Sequence, residues 1–311
     1  MLVRQATLDD TQAIVILFKS RIPKWQRLNE QGQVEDLPYG SLTIYERWLH
    51  GGAWMSLETA VLWLSHILSG HGLAYVVDND GDIVAYAETF YDNEPEPLGQ
   101  HLYLAQMLVD ESCTDDVHHL LADRILQDAR GVGRLTMSLP EYDAAQATYY
   151  RKYFGANEFL RLARHSLPAQ TGQSFYKTRE YSDDNPKQIE GWEMLIGRWT
   201  SPRHLWETEW TEHWTAIPQI INRTKHRLHI NAAGHEAIVC YHQQLYNIRA
   251  ADVYCWSAKK LSSQLIVAIR DWGHRAGYRN LLFALPDVSA KLLPAEATNE
   301  PHYQIIAGVD F

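Results

Sequence analysis

The sequence predicts an α/β protein with a mixed sheet, made of two tandem repeats of one unit, the second shorter and degenerate. Three observations lead there. Gln100 to Pro140 reads as strand, helix, strand. The second half of the chain echoes the first at several anchor points. A length of 311 residues is about twice that of an ordinary domain.

The strand–helix–strand unit comes first. His101 to Val109 is apolar and β-favouring, and Val117, Leu120, Leu121 and Ile125 then recur at helical spacing, so one helix face is buried. Gly131 and Gly133 end the helix, and Leu135 to Leu139 is a short apolar run of strand length. A crossover of this kind joins parallel strands. Upstream, a short strand at Val3 is followed by the Asp9-Asp10 turn and a helix from about Thr11, with Ile14, Leu17 and Phe18 on one face. Residues 20–40 are polar and read as irregular. Leu42 to Leu68 holds two helical pieces separated by Gly51-Gly52. Leu73 to Asp78 and Ile83 to Tyr91 form a hairpin around Asn79-Asp80-Gly81, and the acidic, proline-containing loop Asp92 to Pro97 follows. Ala144 to Tyr153 is predicted helical and Phe159 to Leu167 a strand.

The repeat rests on three matches. Thr178-Arg179-Glu180-Tyr181-Ser182-Asp183-Asp184 echoes Val3-Arg4-Gln5-Ala6-Thr7-Leu8-Asp9-Asp10, with Arg179 lying 175 positions after Arg4 and Asp184 174 after Asp10. Ala129 to Glu141 overlies Arg275 to Asp287, so that Gly131 pairs with Gly277 and Pro140 with Pro286, a shift of 146. Between these anchors Arg227 to Tyr246 repeats the hairpin. The falling shift means shorter loops in the second copy, and the domains are expected at 1–172 and 173–311, packed as a pseudo-dimer about an approximate two-fold axis.

Composition limits the function classes. Formal charge of −10 and a pI near 5.8 argue against a nucleic-acid partner. No run approaches the roughly 18 apolar residues of a membrane span, and no signal-peptide core follows Met1, so a cytoplasmic protein is expected. Cys113, Cys240 and Cys255 lie far apart without CxxC spacing, and neither His118-His119 nor His204 with His213 has ligand spacing on one helix face. No disulfide framework and no metal is therefore expected. Trp206, Trp210 and Trp214 fall at i, i+4, i+8, one helical stripe, either part of an acceptor site or a packed surface between the repeats. Asn222-Arg223-Thr224 is a sequon that a cytoplasmic protein does not use.

The order of elements, with VRQATLDD at the front, ARGVGRLTM after the main helix and ATYYRKYFG behind it, resembles the GCN5-related N-acetyltransferase superfamily, across residues 1 to about 170 and more weakly across 176–311. The resemblance implies an acyl-CoA cosubstrate, most simply acetyl-CoA. It implies an amine acceptor on a small molecule, and a V-shaped opening between the fourth and fifth main strands of a repeat. It makes Met107, Leu108 and Val109 the backbone partners of the pantetheine arm and places the pyrophosphate over Thr114 and Val117. That loop, Asp110 to Asp116, departs from the family's glycine-rich pattern: it has no glycine and no basic residue, and its four carboxylates would repel a pyrophosphate while satisfying the helix dipole themselves, so an ordinary acidic helix cap stands as the alternative to a phosphate cradle. In the second copy the matching residues are Lys259, Lys260, Ser262 and Ser263, two cations and two small residues that suit either phosphate or a solvated edge.

Aligning Thr148 to Gly155 with the family's tyrosine motif makes Tyr150 the general acid, with Phe154-Gly155 inverted relative to the usual pair; the alternative is an aromatic face of Tyr149, Tyr150 and Tyr153 packing the sheet. Glu88 and His101, on adjoining strands, are the candidate bases. Nothing equivalent to Tyr150 stands in the second copy. Two functions follow: an acyl-CoA-dependent N-acyltransferase, or a non-catalytic ligand-binding or protein-interaction module on the same scaffold. The internal pseudo-dimer makes a monomer the expectation, while the sequence leaves the oligomeric state open.

Overall fold

The computed structural model describes residues 1–172, 175–209, 214 and 224–311. Trp210, His213 and Asn222-Arg223 of the sequence analysis lie outside them. The chain forms two compact units: the first takes Met1–Phe90 and Leu104–Gly131, the second Tyr91–Tyr103 and most of the described chain from Val132 onward.

In the first unit, strand β1 (Leu2–Gln5) leads to helix α1 (Thr11–Lys19). Arg4 holds both oxygens of Asp10 at 2.7 and 2.8 Å, while Asp10 also accepts from the Thr7 amide, so VRQATLDD is a strand-to-helix clasp. The stretch expected to be irregular contains a small hairpin, β2 (Gln26–Leu28) with β3 (Val34–Asp36). Its polar residues hide the alternation that marks a strand. Helices α2 (Ile44–Trp48) and α3 (Leu57–His66) follow, capped by Thr43 and Ser56. Strand β4 (Leu73–Asn79) returns through Asp80-Gly81, both at positive φ, into β5 (Asp82–Asn93). Strand β6 (Gln100–Val109) and helix α4 (Asp115–Arg130) complete the unit, whose sheet runs β1-β4-β5-β6. α4 buries Val117, Leu121 and Ile125, whereas Leu120 stays exposed. The core is strongly aromatic, with Trp54, Trp63, Tyr86, Phe90 and Trp214 around Ile14 and Leu64.

The second unit begins with β7 (Arg134–Pro140), α5 (Ala144–Phe154) and β8 (Asn157–Pro168). It continues through β9 (Tyr176–Glu180), β10 (Glu193–Ile196), α6 (Pro202–Glu209), β11 (Lys225–Ala232), β12 (His235–Gln243) and β13 (Ala250–Ser257). α7 (Ser263–Arg275), β14 (Asn280–Pro286), the short α8 (Asp287–Ala290) and β15 (Thr298–Asp310) close it. Within this unit the sheet order is β7-β15-β8-β14-β13-β12-β11-β9. β13 and β14 are parallel with α7 as the crossover between them, the arrangement expected of the repeat.

The order contains an exchange. β15, the last strand of the second copy, pairs antiparallel with β7 of the first, and β8, the last strand of the first copy, pairs antiparallel with β14 of the second. The registers match: Arg134 faces Asp310 and Asn280 faces Pro168, while Pro140 faces Gln304 and Pro286 faces Leu162. Since Arg134 and Asn280 are 146 apart, the exchanged strands correspond at 310 minus 168, and 304 minus 162, both 142. β8 and β15 then pair with each other at the centre. The pseudo-dimer inferred from sequence is thus built by swapped C-terminal strands. For that reason the compact units do not follow a 172/173 repeat boundary. Trp206 and Trp214, read as one stripe, pack into different cores: Trp206 beside Trp256, Trp214 beside Trp48 and Trp63.

Candidate active site and its second copy

In the second copy, β13 and β14 pair only over Ala250–Asp252 and Asn280–Leu282 and then part. The opening so formed is filled by β10, which pairs with the far half of β13, Glu193 opposite Ser257 and Met194 opposite Trp256. The Gly197 amide continues the bridge by donating to Ala284 O of β14 at 2.9 Å. Gly197 has φ +88°, and a Cβ there would lie 2.5 Å from both Tyr254 Cδ1 and Val253 O, so only glycine fits. A buried ion pair anchors the segment: Arg198 Nη1 donates to Glu94 Oε1 at 2.6 Å, Arg198 Nη2 donates to Glu94 Oε2, and the Met194 amide donates to Glu94 Oε2 at 3.2 Å.

The residues named for phosphate in this copy are engaged. Lys260 Nζ donates to Glu193 Oε2 at 2.7 Å and Lys259 Nζ to Gly234 O at 2.7 Å. Ser262 is the N-cap of α7, accepting from the Leu265 amide and bonded to His235 Nδ1 at 3.0 Å, and Ser263 is exposed at the first turn.

The first copy differs at the corresponding helix. Thr114, N-cap of α4, is exposed and makes no side-chain capping bond, while the Val117 amide donates to Thr114 O at 3.1 Å. The Asp110 carboxylate accepts from Ser112 N at 2.9 Å and Ser112 Oγ at 2.6 Å, which shapes the loop and holds the carboxyl below its ordinary pKa. The loop itself has no cation, but the fold brings one: Arg21, just past α1, donates to Glu111 and to Val109 O. Met107 and Leu108 are half-buried, and Val109 and Val117 are buried. A helix start without a side-chain cap bond and with an arginine beside it fits a pyrophosphate, while Glu111, Asp115 and Asp116 oppose it.

Glu88, on β5, is 2% exposed and lies inside the aromatic core. Its Oε2 accepts from Trp63 Nε1 at 3.0 Å, Tyr86 OH at 2.9 Å and Trp54 Nε1 at 3.3 Å. Burial outweighs these neutral donors and raises the carboxyl pKa to about 7. Tyr150, on α5, is 5% exposed; its hydroxyl accepts from Gln146 Nε2 at 2.5 Å, and burial, opposed by that bond, pushes it above the usual phenol range. The negative charge of Asp143, and of Tyr103 once it too is ionised, acts in the same direction, and the Tyr103 hydroxyl meets Ser138 Oγ at 2.6 Å. Gly155, φ +68°, is the left-handed cap that ends α5, which accounts for the inverted Phe154-Gly155 pair. His101, at the start of β6, is 1% exposed with Nδ1 bonded to Gly99 O at 3.0 Å. Arg21, Tyr103 and β10 are missing from the sequence analysis; each comes from a segment without a motif.

Comparison with known proteins bears on the fold. A GCN5-related N-acetyltransferase from Anabaena variabilis matches with a TM-score of 0.58 at 11% identity, over 99% of this chain and 72% of that one. The fold is that of the GCN5-related N-acetyltransferases. A conserved protein of unknown function from Enterococcus faecalis, described as a probable N-acyltransferase, matches with a TM-score of 0.55 at 11% identity over 99% of this chain and 72% of its own. No family model and no curated protein matches the sequence. No helix among the described residues is long and apolar enough to cross a membrane.

Proposed function

We propose that this protein is a cytoplasmic acyl-CoA-dependent N-acyltransferase with one working copy, the first, transferring an acyl group, most simply acetyl, to the amine of a small molecule. The observation that carries the reading is the asymmetry of the copies. In the second, the chain's own β10 lies along β13 where a pantetheine arm would pair, and the α7 start is capped by Ser262. In the first, the start of α4 is left without a side-chain cap and Arg21 stands beside the loop. Met107, Leu108 and Val109 would offer backbone to the arm, and Thr114, the first turn of α4 and Arg21 would hold the pyrophosphate, with Val117 packing beneath. Bound acyl-CoA supplies the activated acyl group.

The chain supplies the proton chemistry. Glu88, with a pKa brought near neutrality by burial, suits the base that relieves the acceptor ammonium of its proton. Tyr150, kept neutral by burial, is a hydrogen-bond donor for the departing sulfur. His101, its Nδ1 committed to Gly99 O, is the less suited base. Isothermal titration with acetyl-CoA tests the assignment: one molecule per chain is expected, with affinity about tenfold lower in Arg21→Ala. No heat with acetyl-CoA, CoA or longer acyl-CoAs, or two equivalent sites, would overturn it.

A second reading is favoured by Glu111, Asp115 and Asp116, which surround the same helix start with negative charge: a non-catalytic module that keeps the scaffold for a different ligand or a protein partner. A thermal-shift screen separates the two, since stabilisation by acyl-CoAs counts against it.

A further inference from the structure

Outside this chemistry, the junction of β5 and β6 brings together three groups that the mechanism does not use as a set. Asp92 is the second-last residue of β5, Glu94 the first residue past the strand, and His101 the second residue of β6. One oxygen of each carboxylate and a ring nitrogen of His101 all lie within 4.8 Å of one another. Glu94 and His101 are 4% and 1% exposed, and Asp92 is half-buried.

The hydrogen bonds around these groups leave acceptors over. A carbonyl oxygen only accepts, so the contact with Gly99 O puts the imidazole proton on Nδ1 and leaves a lone pair on Nε2, for which the described residues provide no donor. Asp92 Oδ1 accepts from Asn93 N and Oδ2 from Arg203 N, each keeping a further lone pair. Among the described residues Glu94 Oε1 accepts only from Arg198 Nη1. Each of the three groups therefore keeps an acceptor position. A histidine whose Nδ1–H is fixed by a backbone carbonyl is in the state that presents Nε2 to a metal.

We propose that Asp92, Glu94 and His101 bind a divalent transition cation, with Zn2+ as the first choice because one imidazole and two carboxylates match its ligand preferences. Arg198 offsets the charge of Glu94 but leaves Oε1 a lone pair, and at longer range it offsets part of the Asp92 charge too. Separations of up to 4.8 Å close to metal-ligand spacing, about 2 Å from each donor, by small side-chain movements. Asp92 also lies on the wall of a cavity of about 340 Å³, with Tyr91, Gln100, Lys187 and Arg203, which gives the ion a way in. The site would tie the end of β5 to the start of β6. It does not depend on acyl transfer.

The test uses the full chain stripped with chelator, loaded with ZnCl2, passed through gel filtration and assayed by elemental analysis. One Zn2+ per chain is expected, with affinity about tenfold or more weaker in Asp92→Asn and His101→Gln. Far-UV circular dichroism establishes that each variant is folded. Co2+ titration of the unmutated chain is the measurement that needs no variant: an intense visible band, the mark of four- or five-coordinate cobalt, is expected with the first equivalent. Loss of Zn2+ on gel filtration, equal retention in both folded variants, or only the weak spectrum of six-coordinate aqueous cobalt would overturn the proposal.

Discussion

Replacing Glu88 with glutamine removes a buried charge while keeping an oxygen acceptor for Trp54, Trp63 and Tyr86. The Glu88 carboxyl has a pKa of about 7 in the fold, against 4.5 for an unperturbed glutamate. A carboxyl raised in the folded state holds its proton there while the unfolded chain has lost it, so folding binds protons and stability falls as pH rises. The contribution is intact below the unfolded value, is lost progressively as pH rises through the folded value, and the loss is complete above it. At 1.36 kcal/mol per pKa unit the full penalty is about 3 kcal/mol, of which about 2.5 kcal/mol develops between about pH 5 and about pH 8. Every other titrating group is shared by the two proteins, so the difference between their pH profiles isolates Glu88. Thermal melts of both across this range are the assay, and Glu88→Gln is expected to gain about 5 °C on the unmutated protein from the acid end to the alkaline end. Parallel profiles would refute the argument, because they would mean that the Glu88 carboxyl titrates as it does in the unfolded chain.

Three further outcomes are expected. Tyr150→Phe keeps the aromatic packing of α5 but removes the hydroxyl, and under the proposed reaction it lowers kcat about 10²-fold or more with little change in melting temperature, measurable by thiol release from acetyl-CoA. Gly197→Ala places a methyl against Tyr254 and Val253 O at a positive φ and is expected to destabilise the second unit by about 3 kcal/mol, read from the urea midpoint. Glu94→Ala leaves Arg198 buried without its carboxylate and is expected to cost about 3–5 kcal/mol, whereas replacing Glu94 and Arg198 together by apolar residues costs less; a double-mutant cycle measures the difference.

What could be read from the chain was what is local. The Asp80-Gly81 hairpin, the amphipathic α4 and the glycines that end helices announce themselves within a few residues, and the Gly131–Gly277 and Pro140–Pro286 matches revealed the duplication. β15 was obscured because Pro294 and Pro301 interrupt its surroundings, and because its partners, β7 and β8, lie far away in sequence. β10 is four residues long, too short for a periodic signal, yet it covers the far half of β13. Arg21 supplies the cation missing from the Asp110 to Asp116 loop through a contact 90 residues apart. Glu88 was visible as a strand glutamate, but its raised pKa comes from burial in a core that α3 and the turn before it build from outside any motif, while the Trp54 and Trp63 N–H groups pull the other way.

The strand exchange has a consequence for biosynthesis. When Pro140 leaves the ribosome, β7 has no neighbour on the side that β15 will occupy, and none arrives until Gln304 to Asp310 are made, the first of them 164 residues later. Until then an open strand edge is available to other nascent chains, the situation in which aggregation competes with maturation. Clipping or masking the segment after Thr298 would leave the first copy permanently in that immature condition, although no residue of its own had been touched.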